Sequence, residues 1–300
     1  MSKLTYDIPY LINLDTFFHN YDRNIQKVDK RLDEYVKDPN EENIHDIRTA
    51  IRRLDASYQS SPKQIQKKKI KEYVAKSRHL FKLNSEIRDF DIIIEKLYNE
   101  GQIPEQQFEQ FNKSLKKNKH RKLLKALSIA IDLKKLNVPN LNNGDSNNRN
   151  DHDKLQKKLV TRYNRIIVNF ASNIEMNLPI IVNNSEKIEE LHEVRKDSKK
   201  LRYLLELGLD NKDKKNENEN IDKNKEIKEN NHINSHNVSG SIKTLEKIQD
   251  MLGNIHDYDI TIAYLKQNDK HMHTVAEKNI SMIRENRYKQ FVQYCKSDLL

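Results

Sequence analysis

Two segments of the chain carry residues of the types that bind phosphate groups. The first reads His45-Asp-Ile-Arg-Thr-Ala-Ile-Arg-Arg-Leu54, and it aligns without a gap on His192-Glu-Val-Arg-Lys-Asp-Ser-Lys-Lys-Leu201. Arginine binds anionic oxygens through parallel N–H groups, lysine acts as a point charge, and histidine adds hydrogen bonds and a charge that depends on pH. The repeated pattern therefore predicts an anion site supplied by both halves of the chain.

A helical wheel brings these groups together. At about 100° per residue, the polar stripe of the first helix contains His45, Arg48 and Arg52, and that of the second contains His192, Arg195, Lys199 and Arg202. Arg53 and Lys200 point about 80° away from these stripes. An apolar stripe borders each polar one and predicts the buried face. Seven helical residues span roughly 10 Å, so two facing stripes would suit a linear polyanion.

A second pair of segments is acidic. The segment from Glu86 to Leu97 aligns without a gap on the segment from Asn254 to Leu265. The shared carboxylates are Asp89, Asp91, Asp257 and Asp259. They are candidate metal ligands or partners of the arginines. We favour a structural role without metal, in which they lie at a helix start, cap the helix and hold the cations by ion pairing.

The amino-acid composition and the spacing of apolar residues predict the helices that carry these motifs. Five glycines and six prolines favour an all-α fold. Periodic apolar spacing predicts helices over 10–37, 42–59, 63–84, 86–99, 105–136, 152–177, 185–207, 241–252, 255–267 and 272–297. The repeat predicts two similar up-and-down bundles related by pseudo-two-fold symmetry, with a basic groove or pore between them. The expected bundles are residues 1–136 and 152–300, joined by a linker at 137–151, with a disordered insertion at 210–240.

The net charge of the chain and the absence of several catalytic and binding motifs restrict the classes of function that we expect. A net charge of +10 favours anionic partners. A single cysteine, the absence of a signal peptide and the absence of a long apolar run predict a cytoplasmic protein without a membrane partner. No glycine-rich phosphate loop, nucleophile motif or metal-spaced cluster is present, so we expect no catalysis, metal or cofactor. No stacking platform is evident, so nucleic acid is expected to be only a weaker competitor.

These motifs resemble those of the CHAD family, the conserved histidine α-helical domain, from about residue 10 to 297. The resemblance rests on HDIRTAIRRLD from His45, HEVRKDSKKLR from His192, RDFD from Arg88 and HDYD from His256. It implies paired helical bundles, a basic central groove or pore, and binding of inorganic polyphosphate, often at polyphosphate granules. The anion-binding residues that it implies are His45, Arg48, Arg52, Arg53, His192, Arg195, Lys199, Lys200 and Arg202.

Some alternatives stay open at this point. His45 and His192 are candidates either for the ligand site or for hydrogen-bonded structural roles at a helix start. Asp55 stands at the position that matches Arg202, where the family pattern has a base, so the two halves are expected to contribute unequally. The alternative functions are a metal-dependent polyphosphate or nucleotide phosphohydrolase and a nucleic-acid-binding helical protein. The sequence does not indicate a protein partner.

Overall fold

The structure is a computed structural model that describes residues 12–136, 149–209, 229–268 and 273–299. These residues form helices and contain no β-strand, which confirms the all-α fold. The helices are α1 (Leu14–Lys37), α2 (Glu41–Ser60), α3 (Lys68–Glu100), α4 (Glu105–Lys134), α5 (Arg149–Asn183), α6 (Ile188–Gly208), α7 (Glu229–Asn268) and α8 (His273–Tyr294), followed by a π-helical turn at Cys295–Leu299.

Several helix boundaries follow from local side-chain chemistry. The Asn13 side chain accepts a hydrogen bond from the backbone N–H of Asp15, and Asn40 accepts one from Asn43. Such caps satisfy backbone donors that the first turn of a helix leaves free. Gly101 follows the last residue of α3, and glycine fits there because a Cβ would lie only 2.6 Å from the carbonyl oxygen of Leu97.

Helix continuity differs from the prediction in two places. The expected pair of helices at 63–84 and 86–99 is the single helix α3, and the expected pair at 241–252 and 255–267 is the single helix α7. Gly253 lies within α7, where a Cβ would be 3.7 Å from Arg195 Nε. Glycine weakens a helix by only about 1 kcal/mol, which packing readily offsets.

The predicted linker and insertion fall partly on helix. Residues 149–151 belong to α5 and residues 229–240 belong to α7. Helix α7 thus begins inside the segment where the sequence predicts a disordered insertion, and the bounds of the linker and of the insertion stay predictions. Residues 137–148 and 210–228 lie outside the described residues.

One buried cluster joins both parts of the chain. It contains Phe17, Tyr21 and Tyr73 from the first half together with Leu201 and Phe291 from the second. Burying each such side chain contributes roughly 1.5–3 kcal/mol. The division into bundles at 1–136 and 152–300, and their pseudo-two-fold relation, stay predictions.

Four helices surround the centre of the molecule. Helix α2 packs against α3 and α6, and α7 also packs against α3 and α6, so the four contacts close a ring. Helices α2 and α6 carry the repeated basic motif, while α3 and α7 carry the acidic one. The fold thus brings all the predicted motifs to one place. Among the described residues, no helix is long and apolar enough to span a membrane.

Candidate functional site

A cavity of about 420 Å³ lies within this ring of four helices. Its charged lining comes from every helix of the ring: Arg48, Arg52 and Asp55 from α2, Asp89 from α3, His192, Arg195, Lys196, Lys199 and Lys200 from α6, and His256 and Asp257 from α7. Its volume falls in the range of roughly 300–1,000 Å³ that is usual for ligand sites. The cavity is the candidate functional site.

Four of its cations form the centre of the site. Among the described residues, Arg48, Arg52, Arg195 and Lys199 lack a carboxylate within ion-pair distance, although three carboxylates line the same cavity. The Nε atoms of Arg48 and Arg195 are buried without a hydrogen-bond partner in the described part of the chain. Buried donors without partners cost free energy. An anion entering the cavity would supply the missing acceptors.

Burial and mutual repulsion shift the pKa values of these cations. Desolvation, followed by repulsion from Arg52, lowers the pKa of Arg48 to about 10. Desolvation, followed by repulsion from Arg195, lowers the pKa of Lys199 to about 6. The pKa of Arg195 is also lowered, mainly by desolvation. The free protein therefore keeps the two arginines charged at an electrostatic cost and disfavours the charged form of Lys199; a bound polyanion would relieve the cost and favour that form.

Two of the predicted acids face the cations. Asp89 and Asp257 line the cavity, and desolvation raises the pKa of both carboxyl groups, that of Asp89 to about 6. Repulsion from Asp257 contributes to the shift at Asp89, while Arg48 opposes it. Both residues lie well inside their helices, so the prediction that they cap a helix start was wrong. The error arose because α3 and α7 continue through the expected breaks.

The other two acids point away from the cavity and join neighbouring helices. Asp91 accepts a hydrogen bond from Lys119 of α4 at 2.5 Å. Asp259 accepts one from Arg284 of α8 at 2.9 Å, and that arginine also donates to the backbone carbonyl of Ser185. These pairs attach α4 to α3 and α8 to α7. Their contribution to the site is indirect, through the positions of α3 and α7.

The two predicted histidines lie in different environments. His192 contacts His256, with ring centroids 4.6 Å apart, and both line the cavity. Desolvation, followed by repulsion from Arg195, lowers the pKa of His256 to about 3, and the pKa of His192 is lowered as well. His45 instead has a 70% exposed side chain beside Asp46 and does not line the cavity. Thus only one of the two motif histidines reaches the site.

Arg88, at the position that matches His256, also points elsewhere. It donates a hydrogen bond to Glu41 at the start of α2. The first half of the chain therefore lacks an equivalent of the contact between His192 and His256 within the described residues.

The remaining predicted cations are already paired with acids. Arg53 Nε lies 3.3 Å from Glu206, and Arg202 lies 2.8 Å from Glu246 and 3.7 Å from Glu206. Lys200 lies 3.2 Å from Asp197 but still lines the cavity. Arg53 and Arg202 do not line it; both lie over the ring of Tyr203, which does.

Aromatic rings form cation–π contacts with several of the cations, and the sequence did not predict these aromatic residues. Arg48 and Arg52 lie 5.8 and 5.0 Å from the ring centroid of Phe81, and Lys200 lies 4.9 Å from that of Phe170. Such cation–π contacts stabilise each cation by about 0.5–2 kcal/mol. Phe81 and Phe170 belong to helices outside the basic motif, so the wheel could not reveal them. His256, which begins the HDYD segment, was visible as a motif residue but had no assigned role.

The described residues contain no group of three or more His, Cys, Asp or Glu side chains arranged to hold a metal ion. In the part of the chain that the structure describes, the protein is all-helical, and arginines without acid partners line its central cavity.

Comparison with known proteins identifies the family. The family model of the CHAD domain matches residues 21–215, and the chain belongs to this family. The crystal structure of the CHAD domain from the plant Ricinus communis matches with a TM-score of 0.51 at 12% identity, covering 97% of this chain and 91% of that one. At this identity the likeness shows the fold alone. No curated protein sequence matches the chain.

Proposed function

We propose that the protein binds inorganic polyphosphate in the central cavity and does not chemically change it. The observation that carries this proposal is the cluster of Arg48, Arg52, Arg195 and Lys199, which have no acid partner within the described residues. Polyphosphate presents closely spaced anionic oxygens without bases or sugars. It therefore matches a site whose cationic side chains donate many hydrogen bonds to phosphate oxygens and do not recognise particular bases.

Membership of the CHAD family supports the same ligand, because polyphosphate is the ligand that the motif resemblance implies. The arrangement of cations adds a physical argument. Arg48 and Arg52 come from α2 and Arg195 and Lys199 come from α6, so the cations reach the cavity from two sides. A chain lying between α2 and α6 would contact both sets. Residence at polyphosphate granules stays a prediction.

Calorimetric titration with long-chain polyphosphate tests the proposal, with RNA and tripolyphosphate as comparators at two salt concentrations. We expect affinity for polyphosphate well above that for RNA, and a decrease as salt rises because bound phosphates release counterions. The double variant Arg48→Ala/Arg195→Ala should lose at least about 100-fold in affinity, since each charged hydrogen bond contributes roughly 1.5–3 kcal/mol.

A matched control removes the same charge elsewhere. Arg121 of α4 and Arg287 of α8 are exposed and hydrogen-bond to Asn118 and Gln290. Arg121→Ala/Arg287→Ala should keep nearly the wild-type affinity. Equal losses in the two double variants would show that net charge, and not the cavity, drives binding. Equal affinity for RNA and polyphosphate would overturn the ligand assignment.

The absence of catalysis is part of the proposal and has its own test. Incubation of polyphosphate or a nucleotide with the protein and added Mg²⁺ or Mn²⁺ should release no phosphate above background. Release that disappears in Asp257→Ala would support the metal-dependent phosphohydrolase instead, because Asp257 is one of the three carboxylates in the cavity.

A further inference from the structure

Three lysines of α6 line the cavity but differ in their partners. Lys196 lies 2.6 Å from Glu193, and Lys200 lies 3.2 Å from Asp197. Lys199 has no such acid partner within the described residues. An ion pair stabilises the ammonium form of a lysine. Within the described residues, Lys199 thus lacks the ion-paired carboxylate that Lys196 and Lys200 each have.

The groups that face Lys199 disfavour its charge. Arg195 lies on its own helix, and Arg48 and Arg52 face it from α2; the opposing carboxylate is Asp257 of α7. Because desolvation and the three arginines outweigh this carboxylate, the pKa of Lys199 falls to about 6 and its amine is mostly neutral at pH 7. A neutral lysine amine is a nucleophile, and burial beside other cations is a known way to produce one.

We propose that Lys199 forms a reversible imine with small aldehydes that carry a phosphate group. The cavity joins the two features that such a ligand needs. Arg48, Arg52 and Arg195 offer donors for the phosphate, and the amine of Lys199 lies among them to meet the aldehyde. The cavity of about 420 Å³ and its rings Phe81 and Phe170 accommodate a small organic body as well as an anion.

The reaction balances without an oxidant or reductant. The nitrogen lone pair of Lys199 attacks the carbonyl carbon, and a C–N bond forms as the carbonyl π pair moves to oxygen. The two amine hydrogens leave with that oxygen as water, and a C=N bond replaces the C=O bond. Water reverses the reaction, so the ligand is held covalently but not permanently.

This inference shares the cavity cations with the proposed function but not its ligand. The two therefore fail separately. Polyphosphate binding without aldehyde capture would refute the imine alone. Aldehyde capture without polyphosphate binding would refute the proposed function alone.

The test uses pyridoxal 5′-phosphate as the probe and pyridoxal, which lacks the phosphate, as the comparator. Each is incubated with the full chain at pH 7, the imine is reduced with sodium borohydride, and labelled lysines are identified by peptide mass spectrometry. We expect Lys199 to carry most of the label, at about tenfold higher occupancy with the phosphorylated probe. Excess tripolyphosphate should suppress this labelling.

Internal and external controls complete the experiment. Lys196 and Lys200, mapped in the same digest, should be labelled much less than Lys199. Lys199→Arg should abolish the main adduct, while Lys122→Arg, which alters an ion-paired lysine outside the cavity, should leave it unchanged. Label spread evenly over the lysines of the wild-type protein, or equal labelling by pyridoxal, would overturn the inference, and this outcome does not depend on any variant folding.

Discussion

Asp55 accepts a hydrogen bond from Arg78 Nε at 2.6 Å, joining α2 to α3 beside the cavity. Asp55 stands where the sequence pattern has a base, and the structure provides a cation next to it from another helix. The same carboxylate accepts a hydrogen bond from Gln59 at 2.6 Å. The acid is thus held in a network, yet it still lines a cavity of otherwise cationic character.

Asp55→Asn should strengthen polyphosphate binding by a few-fold. The substitution removes a negative charge that lies near the ligand, and a charge interaction of about 1 kcal/mol corresponds to roughly fivefold in affinity. Asp46→Asn is the control in titration calorimetry, because Asp46 lies on the same helix as Asp55 and pairs with Arg31 of α1, but it does not line the cavity. Weaker or unchanged binding by Asp55→Asn would show that the acid matters only for holding Arg78.

The cationic side chains should contribute unequally to polyphosphate binding, depending on whether an acidic side chain already forms an ion pair with them. Arg48→Gln should weaken polyphosphate binding about tenfold or more, since Arg48 has no acid partner within the described residues. Arg53→Gln and Arg202→Gln should each cost only about two- to threefold, because Glu206 and Glu246 compete with phosphate for those guanidinium groups. Titration of polyphosphate into the three single variants in one buffer measures the order of their losses in affinity. A loss at Arg53 equal to that at Arg48 would contradict it.

Helical periodicity was sufficient to predict the cationic centre of the site. Arg48, Arg52, Arg195 and Lys199 lie on the predicted stripes and line the cavity. The helical wheel placed His45 on the same stripe, but a wheel gives only the direction in which a side chain leaves the axis of α2. Whether His45 meets solvent or another helix depends on what packs beside the first turn, and there the side chain is exposed.

Tertiary contacts also explain the unexpected continuity of α3. The predicted helices at 63–84 and 86–99 left a break at Ser85, yet the neighbouring Asn84 is buried and accepts a hydrogen bond from the Tyr35 hydroxyl at 2.9 Å. The Ser85 hydroxyl donates to the carbonyl oxygen of Phe81. Both polar side chains therefore find partners without ending the helix. Their partners could not be read from local sequence, and neither could the ion pairs of Arg53 and Arg202.

The two supporting ion pairs should differ in their effect on stability. Arg284→Met removes the ion-pair partner of Asp259 and the hydrogen-bond donor to the Ser185 carbonyl oxygen. Both side chains of the pair are below 10% exposed, at 7% and 9%. Breaking a buried pair costs about 3–5 kcal/mol. Lys119→Met breaks the more exposed pair with Asp91 and should cost about 1 kcal/mol. Urea unfolding measures both; equal costs would show that burial does not set the difference.

Polyphosphate binding should take up protons at pH 7. Lys199 has a pKa of about 6 in the free protein, so its amine is mostly neutral, and a bound polyanion favours the ammonium form. Asp89, whose pKa is also about 6, is mostly ionised, and the same anion favours its protonated form. His192 and His256, with lowered pKa values, shift in the same direction. Affinity should therefore fall as pH rises from 6 to 8.

Calorimetry at pH 7 in two buffers with different ionisation enthalpies measures this uptake directly. The terminal phosphates of the ligand also titrate, so the informative quantity is the difference between wild type and Lys199→Met. The variant removes the amine and keeps Asp89, and it should take up fewer protons per ligand bound. Because each group whose bound pKa exceeds its free pKa binds protons in the window between the two values, proton release on binding, or equal uptake by the variant, would contradict the assignment of Lys199 as a titrating member of the site.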